Sequence, residues 1–285
     1  MIKKSKIIVT GGLGFIGSHT VAELHAQGFE VIIVDDLSNS SINVLNGLEN
    51  ITKTKLIFEK MDLKNKSLVK KLFIKYHDIS GVIHFAASKA VGESVTDPLK
   101  YYENNLITLI NLLKEINSLK TKVSFIFSSS CTVYGQAKKL PIKEDEKIKQ
   151  AESPYGNTKQ ICEEIIQDTC KTSKNLKAIS LRYFNPIGAH PSNEIGELPI
   201  GKPQNLVPFI TQTAIGKHKE LTVFGNDYPT IDGTCVRDYI HVVDLAKAHI
   251  QSIKRLIENK TVSNYDFFIV GTGKGSSVLE VITSF

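Results

Sequence analysis

Three glycines spaced by two residues, Gly11, Gly14 and Gly17, stand between the apolar triplet Ile7-Ile8-Val9 and a stretch with helical character. A strand that turns tightly through glycines into a helix leaves few folds open. The glycines let the backbone approach an anion closely, and the helix N-terminus offers free N–H groups to a pyrophosphate. Glycine clusters also mark plain turns, so the next strand decides. Val31-Ile32-Ile33-Val34 runs into Asp35-Asp36, and Asp35 follows Gly17 by eighteen positions. An acid there meets a ribose 2′-OH and repels a 2′-phosphate. Together the features predict a dinucleotide site that takes NAD over NADP.

The chain then keeps alternating. Leu56-Ile57-Phe58 reads as a third strand, and Leu68, Leu72 and Tyr76 recur every four residues, as a helix face does. Gly81-Val82-Ile83-His84-Phe85 is a fourth strand. Asp97-Pro98 supplies an N-cap with proline at the first helical position, ahead of Tyr102, Leu106, Leu109 and Leu113 on one face. Residues 123–127 form a fifth strand, Ser153-Pro154 opens another helix, and residues 178–181 form a sixth strand. Strands joined by helices run parallel with right-handed crossovers. The expectation is an α/β fold with a doubly wound parallel (Rossmann) sheet over residues 1–185.

From residue 186 the pattern changes. Residues 186–204 are rich in proline, glycine and polar groups and read as a long functional loop. A helix from Leu206, a short strand at 221–224, a glycine-rich loop to Gly233, a helix over 243–257 and a strand at 267–270 follow. Residues 186–285 are expected to form a smaller α/β substrate domain, with the last helix and strand packing back on the first. Val278, Val281, Ile282 and Phe285 mark one helix face with no stop signal, so the chain reads as cut.

Composition removes several classes. A prior of about two domains follows from 285 residues. With 41% hydrophobic and 22% charged residues, a disordered chain is excluded. No apolar run nears the ~18 residues of a membrane span. After the basic start the apolar part is only Ile7-Ile8-Val9, too short for a signal-peptide core, so a cytoplasmic chain is expected. Cys131, Cys162, Cys170 and Cys235 form no CxxC pair, and no His/Cys cluster has metal-ligand spacing. The net charge of +6 is dispersed; Lys70-Lys71 and Lys138-Lys139 are doublets and not a nucleic-acid stripe.

Chemistry points to Tyr155-x-x-x-Lys159, which puts both side chains on one helix face. A tyrosine titrates near ~10. A neighbouring ammonium and a positive nicotinamide favour its phenolate and lower that value, giving a base at neutral pH. YxxxK alone is commonly surface decoration. Its weight comes from Ser128-Ser129-Ser130 at the end of the fifth strand, which brings a serine hydroxyl to the same pocket. Asp62 and Phe85-Ala86-Ala87 lie at strand ends where adenine and pyrophosphate would sit. Lys89, just past a strand end, is placed for a phosphate or ribose contact. His84 and His241 read as structural.

These residues resemble the extended short-chain dehydrogenases/reductases, and within them the UDP-glucose (UDP-galactose) 4-epimerases. The likeness is carried by residues 11–19, by His84-Phe85-Ala86-Ala87-Ser88-Lys89-Ala90-Val91-Gly92-Glu93-Ser94 and by Tyr101-Tyr102-Glu103-Asn104-Asn105. It continues through residues 128–135, Ser153-Pro154-Tyr155-Gly156, Arg182-Tyr183-Phe184-Asn185-Pro186, residues 224–229 and residues 233–242. The resemblance implies a catalytic Ser130, Tyr155 and Lys159. It implies NAD contacts at Gly11, Gly14, Phe15, Ile16, Gly17, Asp35, Asn39, Ser40, Asp62, Leu63, Phe85, Ala86, Ala87, Lys89, Asn104, Ser128, Tyr155, Lys159 and Phe184. UDP-glucose or UDP-galactose would meet Lys89, Ser130, Thr132, Tyr155, Asn185, Asn205, Leu206, Thr222, Val223, Phe224 and Arg237. A homodimer is implied too, with no metal, nucleic acid or membrane partner. Family members continue for several dozen residues past the position of Phe285 and place an arginine and a tyrosine there near the nucleotide sugar. From this follows the expectation of a nearly complete NAD site beside a UDP site one arginine short.

Three rival readings follow. A nucleotide-sugar 4,6-dehydratase needs an acid and a base just before Val133-Tyr134-Gly135, where this chain has Cys131 and Thr132. An epimerase for UDP-N-acetylglucosamine and UDP-N-acetylgalactosamine shares every motif above. A non-catalytic NAD-binding module would have no reason to keep Ser130, Tyr155 and Lys159 together.

Overall fold

The computed structural model describes residues 5–137 and 139–285; residues 1–4 and Lys138, which entered the charge and leader arguments, lie outside them. In chain order the elements begin with β1 (Lys6–Thr10), α1 (Phe15–Ala26), β2 (Glu30–Asp35), α2 (Asn43–Thr52), β3 (Ile57–Lys60) and α3 (Lys66–Lys75). Next come β4 (Gly81–His84), α4 (Val91–Thr96), α5 (Pro98–Ser118), β5 (Val123–Ser128), a 3₁₀ turn (Cys131–Tyr134) and α6 (Pro154–Thr172). β6 (Leu176–Tyr183), β7 (Asn185–Ile187), α7 (Leu206–Ala214) and β8 (Val236–His241) follow. The chain closes with α8 (Val242–Ile257), β9 (Tyr265–Val270), β10 (Gly275–Ser277) and α9 (Val278–Ser284).

Local chemistry sets several helix starts. Asn65 accepts hydrogen bonds from the Ser67 and Leu68 N–H groups, opening α3. Asp97 caps α5 and Ser153 caps α6, each followed by proline at the first helical position. The parallel sheet runs β3-β2-β1-β4-β5-β6-β9, so its order reverses between β1 and β4. Alternate side chains build two cores. Ile8, Val82, Phe125 and Phe127 face α3, α5 and α6, while Ile7, Val9, Ile33 and Ile126 face α1, α2 and α8.

The late strand β9 pairs in parallel with β6, from Ala178 opposite Tyr265 to Tyr183 opposite Val270. It therefore extends the first sheet, as the sequence suggested for residues 267–270. Two expectations need correction. Residues 221–224 are not a strand. The small second sheet instead runs β10-β8-β7, with β8 taking β7 on one edge and β10 on the other. The segment has no ladder partner, and Phe224 is 86% exposed. Leu68 is also outside the buried face of α3, which consists of Val69, Leu72 and Phe73. The sequence reading assigned no element to the residues of α2 and α4. No helix among the described residues is long and apolar enough to cross a membrane.

Candidate active site

The reversal between β1 and β4 opens a crevice at the carboxyl ends of the strands, where ligands of doubly wound sheets bind. The loops leaving these two strands touch. Gly11 has φ +65°, and a Cβ there would lie 2.8 Å from the Ala86 nitrogen. A Cβ on Gly17 would sit 2.1 Å from the Gly11 carbonyl oxygen, so the turn tolerates no side chain there. Gly14 is the N-cap of α1 and no side chain caps that helix, leaving first-turn N–H groups of Phe15 and Ile16 for an anion. Asp35 is buried at the end of β2. Its Oδ2 accepts from the Leu13 N–H at 3.0 Å, and its Oδ1 from the Leu37 N–H at 3.0 Å and the Ser40 hydroxyl at 2.7 Å. The acid thus also braces the glycine turn, while Asn39 beside it is exposed.

The remaining cofactor candidates line the same edge. Asp62 takes the Lys64 N–H at 2.8 Å, and buried Leu63 gives its carbonyl to Asn111. Asn104 donates to the Ser88 hydroxyl, and Asn105 ties Ser88 to Thr158 on α6. The Phe85 ring lies 4.7 Å from that of His249. Phe184 follows β6, packed where a Cβ on Gly271 would meet its ring at 2.7 Å. Lys89 is half-exposed, 3.9 Å from a carboxylate oxygen of Glu197.

Ser130, Tyr155 and Lys159 converge beside this crevice. Ser130 caps the 3₁₀ turn, accepting the Thr132 N–H at 3.2 Å, and its hydroxyl lies near enough to the Tyr155 phenol to favour the phenolate. Buried Lys159 donates to the Ser128 carbonyl at 2.8 Å, its Nζ 5.7 Å from the Tyr155 ring centroid and 4.8 Å from that of Phe127. The Ser128 hydroxyl shares a 2.6 Å hydrogen bond with Tyr183. The chain's own groups do not by themselves depress the tyrosine, for which an ammonium and a nicotinamide together were expected. Burial, with Tyr183 adding to it, pushes the Tyr155 phenol up, and the Ser130 hydroxyl opposes this only in part. Burial likewise pulls the Lys159 ammonium down to about 8, against the pull of Cys162 and Glu163. In a dry pocket desolvation disfavours the charged form of each group.

His84 is structural, bonded to the Thr10 hydroxyl at 2.7 Å, and His241 caps α8 by accepting the Val243 N–H. The residues expected around UDP are less gathered. Asn205 donates to Glu197 at 2.6 Å, next to Lys89, and Leu206 opens α7. Asn185, Thr222, Val223, Phe224 and Arg237 are exposed, with no hydrogen bond to the trio among the described residues. Thr132 differs: its hydroxyl oxygen is buried without a partner, an acceptor and donor left for a polar ligand. The sequence reading passed over Ser129, Glu163, Tyr183 and Arg182, which pack directly behind the trio. Arg182 and Tyr183 lay inside a quoted motif, but nothing in their spacing announced a role. Among the described residues no group of three or more histidine, cysteine, aspartate or glutamate side chains is placed to hold a metal.

A family model described as GDP-mannose 4,6 dehydratase matches residues 8–277. The UDP-glucose 4-epimerase of Bacillus subtilis (strain 168) is 48% identical over 279 residues, which cover 98% of this chain and 80% of the relative. The chain belongs to the UDP-glucose 4-epimerase family. Two solved members of the family show the same fold. The Stenotrophomonas maltophila UDP-glucose 4-epimerase with bound NAD and formylated UDP-arabinopyranose is 43% identical, with a TM-score of 0.92 over 98% of this chain and 82% of its own. The Bifidobacterium longum UDP-glucose 4-epimerase in complex with NAD+ and UDP is 44% identical, with the same score and coverages. Where dehydration needs a proton donor, this epimerase-family chain has Cys131, whose thiol burial pushes up and which points at the Arg182 carbonyl at 3.3 Å.

Proposed function

We propose that this protein is an NAD-dependent UDP-glucose 4-epimerase that interconverts UDP-glucose and UDP-galactose through a 4-keto sugar. The observation that carries the reading is the buried Ser130–Tyr155–Lys159 cluster beside the crevice that holds the uncapped start of α1. The residues present suit NAD: a side-chain-free turn, a helix start open to a pyrophosphate, and a carboxylate at the end of β2. When bound, the nicotinamide supplies a positive charge near Tyr155 and reversible oxidation at sugar C4. Tyr155 takes the 4′-OH proton at Oη and later returns it. Ser130 orients that hydroxyl, and Lys159 holds the nicotinamide ribose while favouring the phenolate.

Residues 186–285 are the proposed UDP-sugar half. Arg237 spends Nη1 on the Val236 carbonyl at 2.9 Å, and its exposed guanidinium keeps donors for a diphosphate. Asn185, Asn205, Leu206, Thr222, Val223 and Phe224 complete the proposed surface for UDP. The family likeness supports a cytoplasmic homodimer. The test is direct: purified protein is denatured to release and quantify NAD, and the native protein is incubated with UDP-galactose. Released NAD and formation of UDP-glucose are expected. Protein without NAD that leaves UDP-galactose unchanged when NAD is added overturns the reading.

Cofactor choice gives a second expected result. Asp35→Ala removes a carboxylate–ribose hydrogen bond worth ~1.5–3 kcal/mol and frees the Leu13 N–H. NAD affinity is expected to fall roughly 10- to 150-fold, with discrimination against NADP relaxed. Equal affinity of the parent protein for both cofactors, measured by calorimetry, contradicts the assignment.

A further inference from the structure

An ion pair lies buried directly behind the catalytic trio. Glu163, one helical turn beyond Lys159 on α6, receives the Arg182 guanidinium in a forked contact, Nε to Oε1 at 3.0 Å and Nη2 to Oε2 at 2.5 Å. Both side chains are at most 6% exposed. The same Glu163 Oε1 accepts the Ser129 hydroxyl at 2.5 Å. Arg182 Nη1 donates to the Tyr134 hydroxyl at 2.8 Å, and its guanidinium lies 3.8 Å from the Phe267 ring centroid. One carboxylate and one guanidinium thus join α6, the end of β5, the 3₁₀ turn, β6 and β9.

Desolvating two charges usually costs as much as their attraction returns, and apolar residues of similar volume often serve stability better. The placement suggests another purpose. Ser129 sits between Ser128, whose carbonyl holds Lys159, and Ser130, which caps the 3₁₀ turn and favours the Tyr155 phenolate. We propose that the Glu163–Arg182 pair is a positioning device for the reaction. Glu163 anchors Ser129, and with it both neighbouring serines, to the helix that carries Tyr155 and Lys159. Its charge also acts on Lys159 one helical turn away. From α6 the lysine faces Tyr155, Cys162 and Glu163, and from β4 the buried neutral His84. From β5 it faces the Phe127 ring and the Ser128 carbonyl, while Tyr183 on β6 reaches it through Ser128 and Arg182 through Glu163. Burial works against the ammonium and the Glu163 charge works for it.

This inference rests on the epimerase reading for its consequence in turnover, so the test has one readout that does not. Glu163→Gln leaves Arg182 unpaired. The double variant Glu163→Gln with Arg182→Met removes both charges and guards against a folding failure of the single one. In both, the Lys159 titration, followed by nitrogen-15 lysine NMR, is expected to move down by about one pH unit. The alkaline limb of kcat moves with it. Ser129→Ala keeps the ion pair and breaks only the tether. Its kcat is expected to fall about tenfold at unchanged KM, the worth of one hydrogen bond. A Lys159 titration unmoved in the folded double variant, or parental kcat in Ser129→Ala, overturns the positioning role. A shifted Lys159 in a protein whose parent never converts UDP-galactose supports the charge relation and overturns the functional reading instead.

Discussion

Phenylalanine in place of Tyr155 is expected to lower kcat by ~10²- to 10⁴-fold, the range for losing a positioned acid–base group. That loss corresponds to roughly 3–5.5 kcal/mol of barrier. The fold should be indifferent to the change. The ring stays buried, and Ser130 keeps its bond to the Thr132 N–H when the phenol oxygen goes. NAD should stay bound too, because the glycine turn, the start of α1 and Asp35 form without Tyr155. The diagnostic outcome is a protein that purifies with NAD, melts like the parent and does not epimerise. A variant retaining more than a tenth of parental kcat excludes Tyr155 as the base.

The second large effect is acid lability. Three histidines are held neutral inside the fold: burial pulls His19 and His249 down to about 4 and His84 down to about 3. The Nε2 atoms of His19 and His249 have no hydrogen-bond partner. Unfolded histidine titrates near ~6.5, so below that pH the unfolded chain binds protons that the native one refuses. Stability is therefore full above pH ~6.5 and is lost as pH falls toward the folded values. At pH 5 each histidine costs about 2 kcal/mol, about 6 kcal/mol for the three, against the 5–15 kcal/mol typical of a whole domain. Glu197, whose carboxyl burial pushes up, works in the opposite sense but is a single group. Urea midpoints at pH 7.5 and pH 5, at constant ionic strength, should differ strongly. Superimposable curves would refute the neutral burial of these side chains.

The parts of the molecule legible in the sequence are those whose determinants are local. The glycine turn, Asp35, the proline-led starts of α5 and α6, and the Tyr155–Lys159 spacing each depend on a few neighbouring residues. The structure places them as the spacing suggested. The small sheet was illegible for the opposite reason. β8 reads Val-Arg-Asp-Tyr-Ile-His, has only one fully buried residue, and is a strand because β7 and β10 reach it from far away in the chain. Residues 221–224 look more strand-like by composition, yet nothing pairs with them. Electrostatics was hidden in the same way. The YxxxK pattern suggests an ammonium beside a phenol, but only the folded pocket shows that Lys159 gives one of its donors to the Ser128 carbonyl and that burial dominates both groups. Nor could spacing reveal that Glu163 and Arg182 share one buried contact.

The pairing of β9 with β6 also bears on how the protein is made. Roughly 80 residues must leave the ribosome after Tyr183 before Tyr265 appears, which takes on the order of 4–16 s at ordinary elongation rates. During that interval β6 is an open strand edge beside an already formed β5, and the Arg182 guanidinium has no Phe267 ring to lie against. An unpaired edge of this kind is where a nascent chain finds wrong partners. The dinucleotide turn and the catalytic helix are synthesised early, whereas the strand that seals their sheet comes last. The vulnerable species in biosynthesis is therefore a chain whose cofactor turn and catalytic helix are complete while β6 still lacks its outer neighbour.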